Sequence, residues 1–254
     1  MEINLIGFDI TLGQKKPENI INQTADCPFC HREQLTNIID TDGELLLLQN
    51  KYNVLKDAYQ TVLIESTSCD KDIPDYSKEH MHALIRFGIR HWLDMISSGL
   101  YESVLFFKNH GPLSGGTIRH PHMQIIGFKT LDSQLMYNPQ EFYGLPIDKK
   151  DFVEFNISTI PRIGFGELNV VASDNSQIDT IADYIQIAVD YLMHHFNKHC
   201  KSYNLFFYLV DNRICVKILP RFATSPLFIG YNIRFRPNNL EQIVDEIHKI
   251  YFKK

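Results

Sequence analysis

His120-Pro121-His122-Met123-Gln124 follows the small-residue stretch Asn109-His110-Gly111-Pro112-Leu113-Ser114-Gly115-Gly116-Thr117-Ile118-Arg119 and leads into the apolar run Ile125-Ile126-Gly127-Phe128. An apolar run of this length after a loop reads as a buried strand. Successive side chains of a strand point to opposite faces, so His120, His122 and Gln124 are expected on one face. The backbone amides of Ser114, Gly115 and Gly116 can approach a phosphate closely, because glycine admits the conformations such anion nests require. A potential metal ligand, a potential nucleophile and an amide donor are thus joined in five residues. That combination points to attack on phosphorus by an imidazole.

Working outward, Glu44 to Leu48 and Gln60 to Ile64 read as strands. Ser77 then caps a helix whose stripe is Met81, Leu84, Ile85, Trp92 and Ile96, stopped near Gly99. Strands at Ser103 to Lys108 and His122 to Phe128 follow. The order strand, strand, helix, strand, strand recurs at Asp151 to Ser158, Glu167 to Ala172, a helix capped by Ser176, Asn204 to Val210 and Ile214 to Leu219. Asp211-Asn212 makes a tight turn between the last two. A strand at Leu227 to Phe235 and a helix at Leu240 to Tyr251 complete the expectation. The fold class is therefore α+β, with two related halves, each an antiparallel sheet with packed helices. The halves are expected to meet near Leu145 to Lys150, dividing the chain at 1–147 and 148–254. Gly13 to Pro17 reads as an exposed, positively charged turn.

At 254 residues and 44% hydrophobic, the chain can bury a substantial core. A formal net charge of −5 argues against a dedicated nucleic-acid or membrane-surface binder. No apolar run approaches the roughly 20 residues of a membrane helix. Five cysteines is an odd count, and Met1 to Leu5 shows no basic-then-apolar leader. The expectation is a cytoplasmic, reduced protein whose thiols bind metal.

Cys27-x-x-Cys30 has the spacing of half a tetrahedral zinc site. A redox pair or two core thiols are the alternatives, but no thioredoxin-like strand-helix context surrounds it. Cys69 ends one expected strand and His120 opens another, completing a Cys3His set for zinc. An ordinary buried thiol is the plainer reading of Cys69. His122 is the candidate nucleophile, neutral and held in one tautomer by a hydrogen bond on its other nitrogen. Gln124 would donate to a phosphate oxygen. Chance occurrence of His-Pro-His in a chain with eleven histidines is set against this by the loop and the cysteine pair. His80, His82, His91, His194, His195 and His199 read as solvated helix residues. Lys15 or Lys16 is offered as a partner for a second phosphate, although paired exposed lysines are usually just solvated.

These residues resemble the galactose-1-phosphate uridylyltransferase branch of the histidine-triad superfamily. The resemblance rests on Phe107-Lys108-Asn109-His110-Gly111 through His120-Pro121-His122-Met123-Gln124, on Cys27-Pro28-Phe29-Cys30, on Asn50-Lys51-Tyr52, and on Arg221-Phe222-Ala223-Thr224 with Gly230-Tyr231. It implies two histidine-triad-like halves, the first catalytic with the zinc site and the second degenerate. It further implies that His122 takes a nucleotidyl group, that Gln124 steadies the phosphate, and that Asn109 and Thr117 contact phosphate or order the loop. Asn50 falls in the nucleotide pocket, and Cys27, Cys30 and His120 match zinc ligands, with Cys69 where the family often has histidine. A homodimer is expected on the same ground. The second half lacks the further metal cluster of the family, and Pro226 and Asn232 stand where sugar transferases carry lysine and glutamate, so a hexose is not implied.

Glutamine at position 124 cannot titrate, which favours transfer to an acceptor over hydrolysis. The expected activity is a nucleotidyltransferase that moves a nucleoside monophosphate from a nucleoside-diphosphate donor, such as a nucleotide sugar, to a phosphate-bearing acceptor. A dinucleotide hydrolase or phosphorylase using the same histidine, and a nonenzymatic zinc-stabilised nucleotide-binding protein, are the competing readings.

Overall fold

Leu45-Leu46-Leu47-Leu48 is buried along its whole length, which a strand achieves only with both faces of its sheet covered. The structure, a computed structural model, describes residues 5–132 and 136–253. Met1 to Asn4, most of the stretch read for a leader, lie outside the described residues. The chain divides into two units, residues 1–72 with 83–137 and residues 73–82 with 138–254.

In the first unit, α1 (Ile10–Gly13) precedes β1 (Ile38–Asp42), β2 (Leu45–Gln49), β3 (Ala58–Ile64), α2 (Lys78–Ser97, whose residues 78–82 count with the second unit), β4 (Ser103–His110) and β5 (His122–Phe128). The strands lie in the order β1-β2-β3-β5-β4, and each neighbouring pair is antiparallel. One face of the sheet receives α2. Trp92 reaches the Phe106 ring at 6.2 Å and donates its indole N–H to the Val104 carbonyl at 3.1 Å. Gly88 permits this approach, since a Cβ there would come within 2.5 Å of the Phe106 ring. On the other face Leu46, Leu48, Val62 and Ile64 pack with Phe29 and Leu35.

The second unit holds β6 (Gly144–Lys150), β7 (Val153–Ser158), β8 (Leu168–Ala172), α3 (Ile178–Tyr191), β9 (Tyr203–Val210), β10 (Arg213–Pro220), α4 (Pro226–Tyr231) and α5 (Leu240–Tyr251). Its strand order, β6-β7-β8-β10-β9, repeats that of the first unit position for position. Ile181, Ile185, Ala188 and Val189 form the buried stripe of α3. The ammonium of Lys217, fully buried, donates to the Glu141 carbonyl (2.8 Å), Asn169 Oδ1 (2.9 Å) and Glu167 Oε2 (3.2 Å). Burial of this charge is tolerable because all three of its protons find acceptors.

Several expectations are corrected. Leu227 to Phe235 is not a strand: α4 occupies its first half, with Ser225 as side-chain N-cap, Pro226 at the first helical position and Asn232 left-handed at φ 54° as C-cap. Local capping chemistry here outweighs the apolar composition. Ser176 is not the cap of α3; Gln177 takes that place without a side-chain bond, and the Asp174 carboxylate accepts from the Ser176 amide at 2.8 Å. Residues 145–150, expected at the junction, belong to β6, an edge strand of the second unit, paired with β7 and bulged between Pro146 and Asp148. Both edge strands, β1 and β6, are short and largely exposed, so neither carries an alternating apolar signal.

His82 and His91 are largely covered and paired with carboxylates, while His194, His195 and His199 are exposed as expected, His194 with a carboxylate beside it. His82 Nε2 lies 2.6 Å from Asp183 Oδ1, His91 Nε2 2.9 Å from Asp40 Oδ2, and His194 Nδ1 2.7 Å from Asp190 Oδ1.

Candidate active site

β5 begins at His122, opposite Ile64 of β3, and Gln124 faces Val62 one pleat further on. The alternation of the strand puts Met123 and Ile125 on the helix-covered face, fully buried, and leaves His122 and Gln124 on the other. There they line a cavity of about 380 Å³ with Val62, Leu48, Phe29 and Ile118 as its apolar wall. His120 precedes the strand and points elsewhere, toward the thiols.

The imidazole of His122 is 8% exposed. Its Nδ1 lies 2.8 Å from the His120 carbonyl oxygen. A carbonyl can only accept, so Nδ1 carries the proton and Nε2 presents a lone pair. Burial pushes the ring pKa down to about 4, against the His120 carbonyl, which raises it, and with Lys108, which lowers it. The ring is therefore neutral at physiological pH. The Phe29 ring stands edge-on to it, with centroids 5.3 Å apart at 72°, and limits its rotation.

The loop from Gly111 to Arg119 is shaped by its own bonds. Gly111 and Gly115 adopt φ of 80° and 88°, conformations that disfavour a side chain. The Ser114 hydroxyl donates to the Gly111 carbonyl at 2.7 Å and accepts from the Gly116 amide at 3.3 Å. Asn19, buried, straps the far side: its amide donates to the Thr117 carbonyl at 2.9 Å and its side-chain oxygen accepts from the Arg119 amide at 2.6 Å. Gly115, Gly116 and Thr117 line the cavity.

Of the residues singled out in the sequence, Asn50, Gly115, Gly116, Thr117, His122 and Gln124 meet at this cavity, while Asn109 and Ser114 are not among its lining residues. Lys16 is there as well, whereas Lys15 is not. Sequence reasoning missed Phe29, Gln34, Asn37 and Gln49, which also line it. Phe29 lay in plain view within Cys27-x-x-Cys30. The others sit on a 3-10 turn, a loop and a strand end, with no motif to mark them.

Beside the cavity, Cys27, Cys30, Cys69 and His120 bring one ligand atom each to within 4.8 Å of one another. The Nε2–H of His120 donates to the Ser66 carbonyl at 2.9 Å, leaving the Nδ1 lone pair 3.5 Å from the Cys30 sulfur. Arg32 donates to the same Ser66 carbonyl at 2.9 Å and to Glu44 at 2.5 Å, which fixes that acceptor. Burial raises all three thiols. Hydrogen bonds from His120 and Cys30 nonetheless bring Cys27 down to about 6, while its neighbours take Cys30 up to about 12 and leave Cys69 raised. Three sulfurs this close cannot all ionise without a cation among them. The four donors fit a metal ion, and the backbone carries the consequence to the cavity, since His120 supplies both a donor atom and the carbonyl that orients His122.

In the second unit, Val171 stands opposite Cys215 as Val62 stands opposite Gln124, and the pair lines a smaller cavity of about 130 Å³. Aligning β10 on β5 from their first residues puts Arg213 at the place of His122. The eleven-residue glycine-rich connection of the first unit, residues 111–121, is replaced there by the Asp211-Asn212 turn, at φ 50° and 60°.

Residues 8–131 match the family described as domain of unknown function (DUF4931), N-terminal domain, and residues 134–252 its C-terminal domain. A crystal structure of a DUF4931 family protein from Bacillus cereus is 43% identical, covers 85% of this chain and 100% of its own, and superposes with a TM-score of 0.78. The fold is also that of a uridylyltransferase (12% identity, 89% of this chain and 91% of that one, TM-score 0.68). An ADP-glucose phosphorylase from Arabidopsis thaliana with bound ADP-glucose shares it too (14% identity, 94% and 93%, TM-score 0.70). No curated protein sequence matches. Both halves of the sequence and the shared architecture thus lead to one assignment: the chain belongs to the DUF4931 family.

Proposed function

We propose that this chain is a nucleotidyltransferase working through a covalent adduct on His122. The observation that carries the reading is a neutral, buried imidazole, tied at Nδ1, whose other nitrogen stands at a cavity large enough for a nucleotide. The Nε2 lone pair attacks the α-phosphorus of a donor containing a nucleoside diphosphate. The bond from that phosphorus to the bridging oxygen breaks, its electron pair leaves with the departing phosphate, and a nucleoside monophosphate remains on nitrogen. An oxygen of a phosphate-bearing acceptor then attacks the same phosphorus, the N–P bond breaks, and the imidazole regains its lone pair. The proton stays on Nδ1 throughout, donated to the His120 carbonyl, and that hydrogen bond stabilises the positive charge that the ring acquires.

The amides of Gly115 and Gly116 and the carboxamide of Gln124 serve the phosphate oxygens, with Asn50 and Thr117 completing the nucleotide contacts. Ser114 acts by holding the loop, and Asn109 by backing Gly116, whose Cβ position lies 3.3 Å from it. The first unit is the catalytic half. The second is degenerate, because arginine in place of His122 offers no nucleophile.

Cys27, Cys30, Cys69 and His120 would hold zinc. A tetrahedral ion with bonds of about 2.3 Å to sulfur and 2.05 Å to nitrogen sets those atoms about 3.6 Å apart, close to the 3.5 Å between Cys30 and His120. Four protein ligands close the coordination sphere, so the metal's contribution is to stiffen the His120 to His122 segment.

The test is mass spectrometry after mixing the protein with nucleotide sugars, dinucleoside polyphosphates and ATP. An acid-labile nucleotidyl adduct on the wild type that is absent from His122→Ala is expected. No adduct from any donor in the panel would overturn the reading, and adduct turnover in water alone would convert it to a hydrolase.

A further inference from the structure

Among the described residues the cavity is lined by two lysines, Lys16 and Lys51, and by no aspartate or glutamate, in a chain with an excess of acidic residues. Neither lysine forms an ion pair among the described residues; Lys51 Nζ lies 5.9 Å over the Tyr52 ring. Burial lowers the Lys16 pKa, the mark of an ammonium partly removed from water without a counter-charge.

The two cations belong to different segments of the wall. Lys16 begins the segment that runs along the glycine loop, where Asn19 bonds to Thr117 and the Ile20 side chain touches the Gly116 position. Lys51 follows the end of β2. Between it and the catalytic strand the register runs from Gln124 to Val62 to Leu48, two strand spacings or about 10 Å. A nucleotide with its phosphorus at His122 directs its sugar and base along this line, over the apolar wall of Val62, Leu48 and Leu35.

In doubly wound dinucleotide sites a carboxylate meets the ribose hydroxyls, whereas a basic side chain in its place accommodates a ribose phosphate. No carboxylate lines this cavity, and an unpaired ammonium stands at the nucleoside end. We infer that the nucleotide bound here carries a second anionic group on its ribose, a 2′- or 3′-phosphate, read by Lys51. The inference rests on the nucleotide reading of the cavity. A compact ammonium suits a phosphate monoester, which it meets as a point charge without demanding paired geometry.

Isothermal titration of the metal-loaded protein tests this, comparing the 5′-monophosphates of adenosine and uridine with their 2′,5′- and 3′,5′-bisphosphates and with inorganic phosphate. At least one bisphosphate is expected to bind about tenfold more tightly than the monophosphate of the same base, the gain of one charge-assisted contact. Lys51→Glu should erase that advantage, so that the bisphosphate binds no more tightly than the monophosphate of the same base, whereas Lys16→Ala should weaken both ligands and keep their ratio. Bisphosphates no tighter than monophosphates, or an advantage that survives Lys51→Glu, would overturn the inference alone. Failure of the wild type to bind any nucleoside phosphate would overturn the nucleotide site with it. Binding of inorganic phosphate as tight as that of the bisphosphates would show a free-anion site and sink the ribose assignment.

Discussion

His122 Nδ1 lies 2.8 Å from the carbonyl oxygen of His120, a residue whose own ring is turned into the thiol cluster. One dipeptide step therefore couples a metal-binding set to the orientation of a nucleophile. Pro121 between them fixes its own φ and narrows the backbone choices of His120.

His122→Ala is expected to remove the covalent adduct and to lower transferase turnover by about 10⁴-fold or more, the scale seen when a nucleophile is deleted. The thermal midpoint should barely move, because the ring sits at a cavity wall and not in the core. Adduct mass spectrometry and a melting curve on the same sample check both halves of the statement.

Gln124→His puts a titratable group beside the phosphate. The adduct should then decay to water about tenfold faster, a modest share of what positioned acid-base catalysis supplies. The measurement is the lifetime of the isolated adduct in buffer without acceptor. An unchanged lifetime would mean that position 124 does not decide between transfer and hydrolysis.

Elemental analysis should find about one zinc per chain. Cys69→Ala or a strong chelator should deplete it and lower the melting midpoint by roughly 5–10 °C, as expected for a few kcal/mol in a domain of this size. Activity should fall with the metal and return with it, since the chemistry assigned to His122 needs the His120 carbonyl in place.

Lys108 is buried against Glu65 and 3.0 Å from Asp72 Oδ1, with His110 Nδ1 3.2 Å from Asp72 Oδ2. Burial raises the Asp72 carboxyl, but Lys108 and His110 outweigh it and hold the group well below the usual carboxylate range. A carboxyl depressed in the folded state contributes stability above its unfolded pKa near 3.9, and loses it as the pH falls through the acid range. Denaturant melts should accordingly begin to weaken below about pH 6.5, where the unfolded chain protonates His122 while the buried ring stays neutral, and weaken further below about pH 4 as Asp72 is drawn toward protonation. Lys108→Met leaves two buried carboxylates without their cation. It should cost about 3–5 kcal/mol at pH 7 and move the onset of acid unfolding to higher pH.

Gly88→Ala directs a methyl at the Phe106 ring, 2.5 Å away before relaxation. Overpacking of this kind costs about 1–3 kcal/mol, against which the better helix propensity of alanine returns about 1 kcal/mol. A net loss in urea melts is expected, with the catalytic cavity unaltered because it lies on the opposite face of the sheet.

The strands and helices that face a core were legible in the chain itself. Leu45 to Leu48, His122 to Phe128 and the stripe of α2 carry enough apolar periodicity to declare their form. Edges were not: Ile38 to Asp42 and Gly144 to Lys150 pair through backbone groups and expose their side chains, so composition says little about them. Ser225, Pro226 and Asn232 show the converse, where two caps and a proline turn an apolar stretch into a helix.

Residue identity by itself determined which groups are on hand for the proposed chemistry: an imidazole between glycines and a carboxamide, and thiols at the Cys27 and Cys30 spacing. Only the tertiary structure decided how those groups divide. His120 went to the thiols and His122 to the cavity, because Ser66 and His120 carbonyls, from segments 54 residues apart and two apart, select which ring nitrogen keeps its proton. It also assembled Lys16, Lys51 and Phe29 at one hollow. Sequence spacing cannot foretell that meeting, since contacts between distant segments follow from strand register and not from any local preference.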